Sequence, residues 1–238
     1  MYSSLTEEFA TDIKDTNPDK NVTLLHSRDR LMPIYDKGLH DAILARCEAL
    51  GLRVVLGERV LEWPENPGVG DGTRKVIKTS KGTELTGDLV LVCTGTKPTV
   101  SFMESIDKDT IAANGCIRVK DTMQIHTETG DNTYDHMFAV GDCADTTAIR
   151  AGHMSFAMGA LSSRNILRLI EAREKDANAE VDLELYVPDA PRIKVTLGIK
   201  HYCVAAETTA DSFDNNAEDI GARGMWTLPG AQNLGDDE

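Results

Sequence analysis

No apolar run in these 238 residues approaches the about 20 residues that a membrane-spanning helix takes. The N-terminus also lacks the charged-then-apolar layout of a signal peptide. Five cysteines (Cys47, Cys93, Cys116, Cys143, Cys203) are dispersed without any CxxC spacing. That odd set argues against a disulfide framework and gives the expectation of reduced thiols in a cytoplasmic protein. The six histidines form neither HxxxH nor HExxH, so a helix-borne zinc site is not expected. No GxSxG elbow supports a hydrolase. There is no GxGxxG loop and no CxxxxC pair. Basic residues are scarce, 25 against 39 acidic ones for a net charge of −14, which argues against a nucleic-acid surface.

What is present fits a globular chain. Hydrophobic residues make up 41% and charged ones 27%, enough to bury a core in one or two domains. Ser4-Leu5-Thr6-Glu7 has capping-box spacing, and Leu5, Phe9 and Ile13 follow at helical spacing up to Asn17-Pro18. Val22 to Leu25 predicts a short strand. Leu39, Ala42, Ile43, Cys47 and Leu50 predict a helix closed by Gly51, and Arg53 to Leu56 a second strand. This alternation predicts an α/β fold with a parallel sheet. Val60–Trp63 and Lys75–Thr79, with a turn at Lys81–Glu84, predict an antiparallel excursion.

The nearly continuous apolar run Asp88 to Cys93 predicts a buried strand ended by Thr94-Gly95. Asn114-Gly115 is a hairpin signal. Residues 149–172 predict a helix, with Phe156, Leu161, Ile166, Leu167 and Ile170 as its apolar positions. Ile193 to Leu197 alternates as a half-buried strand does, with 198–204 as its partner. Thr208 to Asp219 reads as a polar mobile insertion, Met225-Trp226 as a packing anchor, and Gly235 to Glu238 as a solvated tail.

The chemistry centres on Met137-Phe138-Ala139-Val140-Gly141-Asp142. A strand-length apolar run stops at a glycine followed by an acid. In open α/β sheets, ligands bind beyond the carboxyl ends of the strands. Gly141 allows close backbone approach, and Asp142 offers an acceptor-only carboxylate to ribose or ribityl hydroxyls. The dipeptide alone also reads as an ordinary turn. Cys143 reads either as a redox thiol or as a small buried filler. At His26-Ser27-Arg28 no acid occurs before Asp29; an Arg there can accommodate a 2′-phosphate, and a plain polar loop is the alternative.

Phe138 to Ala144 resembles the second flavin-binding motif of the FAD/NAD(P)-dependent pyridine nucleotide oxidoreductases. Asp88 to Pro98 resembles that family's "ATG" strand and turn, and Ala151-Gly152-His153 its following helix. With residues 21–31 the likeness is to the apoptosis-inducing-factor-like flavoproteins, apparently truncated at the N-terminus. The resemblance implies an incomplete two-dinucleotide-binding-domain α/β flavoprotein. Residues 1–86 would be a partial NAD(P)H-binding domain, 87–172 the second segment of an FAD-binding domain, and 173–238 a small C-terminal α/β domain. The implied cofactors are FAD and NAD(P)H, with hydride transfer to flavin and on to a quinone-like acceptor. Asp142, Gly141, Thr94, Gly95, His153 and Met154 would line the flavin site. His26 and Arg28 would face the adenosine end of the nicotinamide cofactor. No residue is expected as general acid or base. Without either glycine-rich loop the chain is expected to be inactive alone; a non-catalytic interaction protein is the alternative. Peripheral membrane association and oligomeric state stay open.

Overall fold

The computed structural model describes residues 5–95, 97–176 and 179–214. The Ser4 of the capping box, Met225-Trp226 and the acidic tail lie outside them. In chain order the elements are α1 (Leu5–Thr16), β1 (Thr23–His26), α2 (Lys37–Ala49), β2 (Arg53–Leu56), β3 (Val60–Glu62), β4 (Lys75–Thr79) and β5 (Glu84–Gly87). There follow α3 (Ser101–Ile106), β6 (Ile117–Arg118), β7 (Ala144–Asp145), α4 (Gly152–Lys175), β8 (Ile193–Thr196), β9 (His201–Ala205) and β10 (Ala210–Asp214). They form two compact units: residues 5–95 with 191–214, and residues 97–190.

In the first unit β1 and β2 pair in parallel, from Thr23 opposite Arg53 to His26 opposite Leu56. The α2 stripe behaves as its spacing predicts: Leu39, Ile43 and Cys47 are fully buried. The helix closes where Gly51, at φ +68°, turns the chain and Leu52 N–H reaches back to Cys47 C=O at 2.8 Å. α1 presents a different face from the one its apolar residues suggest. Glu7, Ala10 and Thr11 are buried, while Leu5 and Phe9 are about half exposed.

The antiparallel excursion is present as the sheet β3-β4-β5. The other sheet, β10-β9-β8, is no separate body. Val195, Leu197, Cys203 and Ala205 share one core with Leu24, Leu39, Ile43 and Cys47. Residues 210–214, expected to be mobile, are a strand pairing with all of β9. Antiparallel pairing satisfies the backbone of a polar segment regardless of its hydrophobicity.

The run from Asp88 to Cys93 departs from expectation. It forms no strand, and Leu89, Leu91 and Val92 stand 45–47% exposed. A buried strand needs a neighbouring strand to pair its N–H and C=O groups. Here Val90 N–H bonds Pro67 C=O at 3.0 Å, and among the described residues no strand pairs with this run.

In the second unit β6 and β7 pair in parallel, Ile117 opposite Ala144. Asn114-Gly115 does turn the chain: Ala112 N–H bonds Cys116 C=O at 2.8 Å, and Gly115 has φ +80°. Met137 to Val140 makes an isolated bridge, Phe138 to Gln124, in place of a regular strand. The 24-residue α4 buries Met154, Met158, Leu161, Ser162 and Asn165. Of its five apolar positions named from the sequence, Leu161 is buried, while Phe156, Ile166, Leu167 and Ile170 are exposed. Among the described residues, no helix is long and apolar enough to cross a membrane.

Candidate functional site

Gly141 begins a 3₁₀ turn, Gly141–Cys143, directly after the Phe138 bridge. Its φ of +76° lies in the left-handed region, where glycine has no steric cost. A Cβ there would sit 3.1 Å from Ser155 Oγ, on the first turn of α4. From the same turn Gly141 N–H donates to Met158 Sδ at 3.2 Å. The glycine is therefore what lets α4 back closely onto the turn. The neighbouring Asp142 side chain is exposed, with its carboxylate available to a hydroxyl-bearing ligand.

α4 starts beside this turn with Ala151 as N-cap and no side-chain cap. The first N–H groups of a helix have no intrahelical partner, and they carry the positive end of its dipole. Here the first backbone bond closes from Ser155 N–H to Ala151 C=O at 3.1 Å. The donors of Gly152, His153 and Met154 precede it. His153 is exposed. The Met154 side chain is 3% exposed and packs in the core, where Tyr186 Oη donates to its sulfur at 3.6 Å. Any role for Met154 at a ligand thus falls to its backbone N–H.

A cavity of about 40 Å³ is lined by Asn114, Cys116, Asp142, Arg150, Ser155 and Met158. That volume holds a few waters at most, so an aromatic ring system would lie across its mouth and not inside it. Arg150, which the sequence reading missed, donates to Cys116 Sγ at 3.0 Å. Its only sequence signal is its place just ahead of an uncapped helix start. Asn114 Nδ2 donates to Asp145 Oδ1 at 2.7 Å. Burial pushes the Cys143 thiol up, and its weak bond to Val140 C=O (3.4 Å) gives no nucleophilic activation. This is the filler's environment.

The remaining expected residues lie in the first unit. Thr94 and Gly95 are exposed, and Gly95 has φ +95°. At the end of β1, His26 Nδ1 lies 3.2 Å from Arg28 N and 3.1 Å from Arg28 O, folding the loop tightly on itself. Arg28 is exposed, and its C=O accepts from Gly57 N–H at 3.0 Å. Among the described residues no group of His, Cys, Asp and Glu could hold a metal ion.

A parallel pair with flanking helices, followed by an antiparallel excursion, makes a mixed α/β fold. The Gly-Asp turn lies against an uncapped helix start. The chain belongs to the pyridine nucleotide-disulphide oxidoreductase family, whose sequence pattern matches residues 7–163. It is 33% identical over 228 residues to Fe-regulated protein 8 of Mycosarcoma maydis, covering 94% of this chain and 52% of that protein. It is 30% identical over 197 residues to Ferroptosis suppressor protein 1 of Mus musculus, covering 80% and 48%. The chain thus spans about half the length of these relatives.

Two solved structures share the fold. One is an FAD-dependent pyridine nucleotide-disulphide oxidoreductase from Desulfovibrio vulgaris (TM-score 0.59, 20% identity, 84% of this chain and 46% of that one). The other is an engineered water-forming NADPH oxidase (TM-score 0.61, 22% identity, 84% and 40%).

Proposed function

We propose that this chain contributes the nicotinamide-nucleotide side and the Gly-Asp flavin anchor of an FAD-dependent oxidoreductase. That enzyme would transfer a hydride from NAD(P)H to flavin and onward to a quinone-like acceptor. The observation that carries the reading is the exposed Asp142 carboxylate on a turn that Gly141 seats against the uncapped start of α4. These residues fit one end of FAD. Asp142 would accept from ribityl hydroxyls, and the first-turn N–H groups would donate to the electron-rich pyrimidine edge. Arg150 would add positive charge on the same side. When bound, FAD supplies the hydride-accepting chemistry; the protein groups hold and orient it.

The phosphate end of FAD has no such support here, since the sequence contains no GxGxxG loop. Equilibrium dialysis of the chain alone should show weak FAD binding, and stoichiometric tight binding would count against the reading. Joined to the part of Fe-regulated protein 8 that it does not cover, the chain should become yellow. In that fusion Asp142→Ala should weaken FAD roughly tenfold to a hundredfold, because a charge-assisted hydrogen bond is lost. Unchanged FAD affinity in the variant removes Asp142 from the site. A second reading, a non-catalytic interaction protein, is favoured by the exposed apolar residues Leu89, Leu91, Phe156 and Leu167. A fusion that folds but stays colourless would support it.

A further inference from the structure

Strand pairing between β9 and β10 brings a histidine, an aspartate and a serine together. His201 stands opposite Asp214 and Cys203 opposite Ser212, so all four side chains project from one face. His201 Nδ1 lies 2.7 Å from Asp214 Oδ1, and His201 Nε2 lies 3.0 Å from Ser212 Oγ. A carboxylate only accepts, so Nδ1 carries the proton of the neutral ring. Nε2 is then a bare lone pair, and the Ser212 hydroxyl donates to it. The bond from His201 holds the Asp214 carboxyl below its usual range, and Arg46 adds to this.

Serine to Nε2 and carboxylate to Nδ1 is the order of contacts that turns a weak alcohol into a nucleophile. It needs no GxSxG elbow, because such a triad is defined by geometry and not by sequence position. The His201 side chain, 17% exposed, is held by the sheet, while Ser212 is open to solvent. Cys203, the other nucleophile on this face, is fully buried, and burial pushes its thiol up. An oxyanion donor is also available. Ala206 N–H bonds Thr209 C=O at 2.8 Å, which makes these two a hydrogen-bonded pair of the hairpin. Bonded and non-bonded pairs alternate along an antiparallel ladder. Cys203 and Ser212 lie three steps further on and are therefore a non-bonded pair. Among the described residues β10 is the edge of its three-stranded sheet, so Ser212 N–H points out of the ladder.

We propose that Ser212, His201 and Asp214 form a hydrolytic centre for small, neutral, activated esters. Ser212 Oγ bonds to the carbonyl carbon as its proton passes to His201 Nε2, and the carbonyl oxygen takes the electron pair beside Ser212 N–H. The C–O bond to the leaving group then breaks, and that group departs as an alcohol with the proton from Nε2. Water cleaves the acyl-serine by the same route, its proton returning through Nε2 to Ser212 as the acyl group leaves as a carboxylic acid. Asp214 touches only the imidazole and is a positioning residue. A small substrate suits an open sheet edge, and a neutral one suits the exposed Asp211 and Asp214, which repel anions.

The test treats the chain as it is with an alkyl fluorophosphonate, mapped by peptide mass spectrometry, and with p-nitrophenyl acetate. One phosphonyl adduct should form, on Ser212. Ser212→Ala should lose that adduct and at least about tenfold of the ester hydrolysis. Asp214→Asn, a change on an exposed side chain, should slow labelling of Ser212 roughly tenfold to a hundredfold by releasing the imidazole. His201→Gln, checked for folding by its urea midpoint, should lose labelling altogether. No adduct on Ser212 in the parent overturns the proposal, and so does ester hydrolysis unchanged by Ser212→Ala. Labelling of Ser212 at the parent rate in Asp214→Asn also overturns it, since the three groups would then be a surface hydrogen-bond network only.

Discussion

Asn165 and Glu184 grip one another through reciprocal hydrogen bonds: Asn165 Nδ2 donates to Glu184 C=O at 2.9 Å, and Glu184 N–H donates to Asn165 Oδ1 at 2.8 Å. The same amide nitrogen also reaches Thr122 C=O at 3.2 Å. Outside this bonded core, Arg164 and Arg168 hold the Glu184 carboxylate at 2.8 and 2.7 Å. Asn165 is fully buried, so its amide is what ties the extended segment 179–187 to α4. Asn165→Leu should destabilise the second unit by about 2–4 kcal/mol, because it strands a buried N–H and two carbonyls. Arg164→Ala, on an exposed pair, should cost less than about 1 kcal/mol. Urea midpoints of the two variants check the contrast; equal effects would show that the charges, not the amide, secure the segment.

That attachment was not readable in advance, and the reason is general to this chain. Signals that act over a few residues were legible: the α2 stripe with its Gly51 stop, the β1 and β2 strands, and the turns at Lys81–Glu84 and Asn114-Gly115. Signals that depend on distant partners were not. The run from Asp88 to Cys93 is as apolar as a buried strand, yet burial depends on neighbours, and here it is exposed. The β8–β10 sheet looked separate because its attachment to α1 and α2 spans, for Arg46 and Leu197, 151 residues. At the site, Gly141 and Asp142 announce themselves as a dipeptide. Arg150 does not, since only the fold places it beside Cys116.

Glu7 gives the fold a pH dependence. It is 2% exposed, its Oε2 has no hydrogen-bond partner, and burial raises its pKa to about 7, with Glu8 adding a little. The folded state thus favours the protonated carboxyl. Its contribution is fully present below the unfolded pKa near 4.5 and is lost as pH rises through about 7. The loss amounts to about 3 kcal/mol. Glu7→Gln keeps the shape without the charge. It should be close to neutral at pH 4.5 and stabilising by up to that amount at pH 8, measured by chemical unfolding at both. An identical effect at the two values would place the Glu7 carboxyl in water.

Asp15 fixes the turn between β8 and β9. Its Oδ2 accepts from Ile199 N–H at 2.9 Å and lies 3.3 Å from Arg46 Nη2, while Arg46 Nε donates to Leu197 C=O at 2.9 Å. Both side chains are about three-quarters buried. Asp15→Ala should cost about 1–3 kcal/mol, since the Ile199 N–H loses a charged acceptor. Hydrogen exchange at Ile199 and along β9 should speed up, while β3–β5 keeps its protection. Uniform acceleration over the whole first unit would show instead that the turn has no stability of its own to lose.

Gly141 and Ser155 make the close approach of turn and helix measurable. Two separate costs attend Gly141→Ala. A φ of +76° is unfavourable for any residue with a Cβ, by about 1 kcal/mol. The added methyl would also lie 3.1 Å from Ser155 Oγ and 3.4 Å from its Cβ, so the first turn of α4 must give way by a few tenths of an ångström. Together these should destabilise the second unit by about 1–3 kcal/mol. Ser155→Ala alone forfeits only a long bond to Ala151 C=O, 3.3 Å, and should cost under about 1 kcal/mol. In the Ser155→Ala background, Gly141→Ala should cost less than in the parent but still more than zero, because removing the hydroxyl relieves the contact and leaves the backbone strain. Unfolding midpoints for the four proteins give the coupling directly. Additive effects would mean that α4 does not back onto the Gly-Asp turn, and the flavin anchor proposed there would lose its seat.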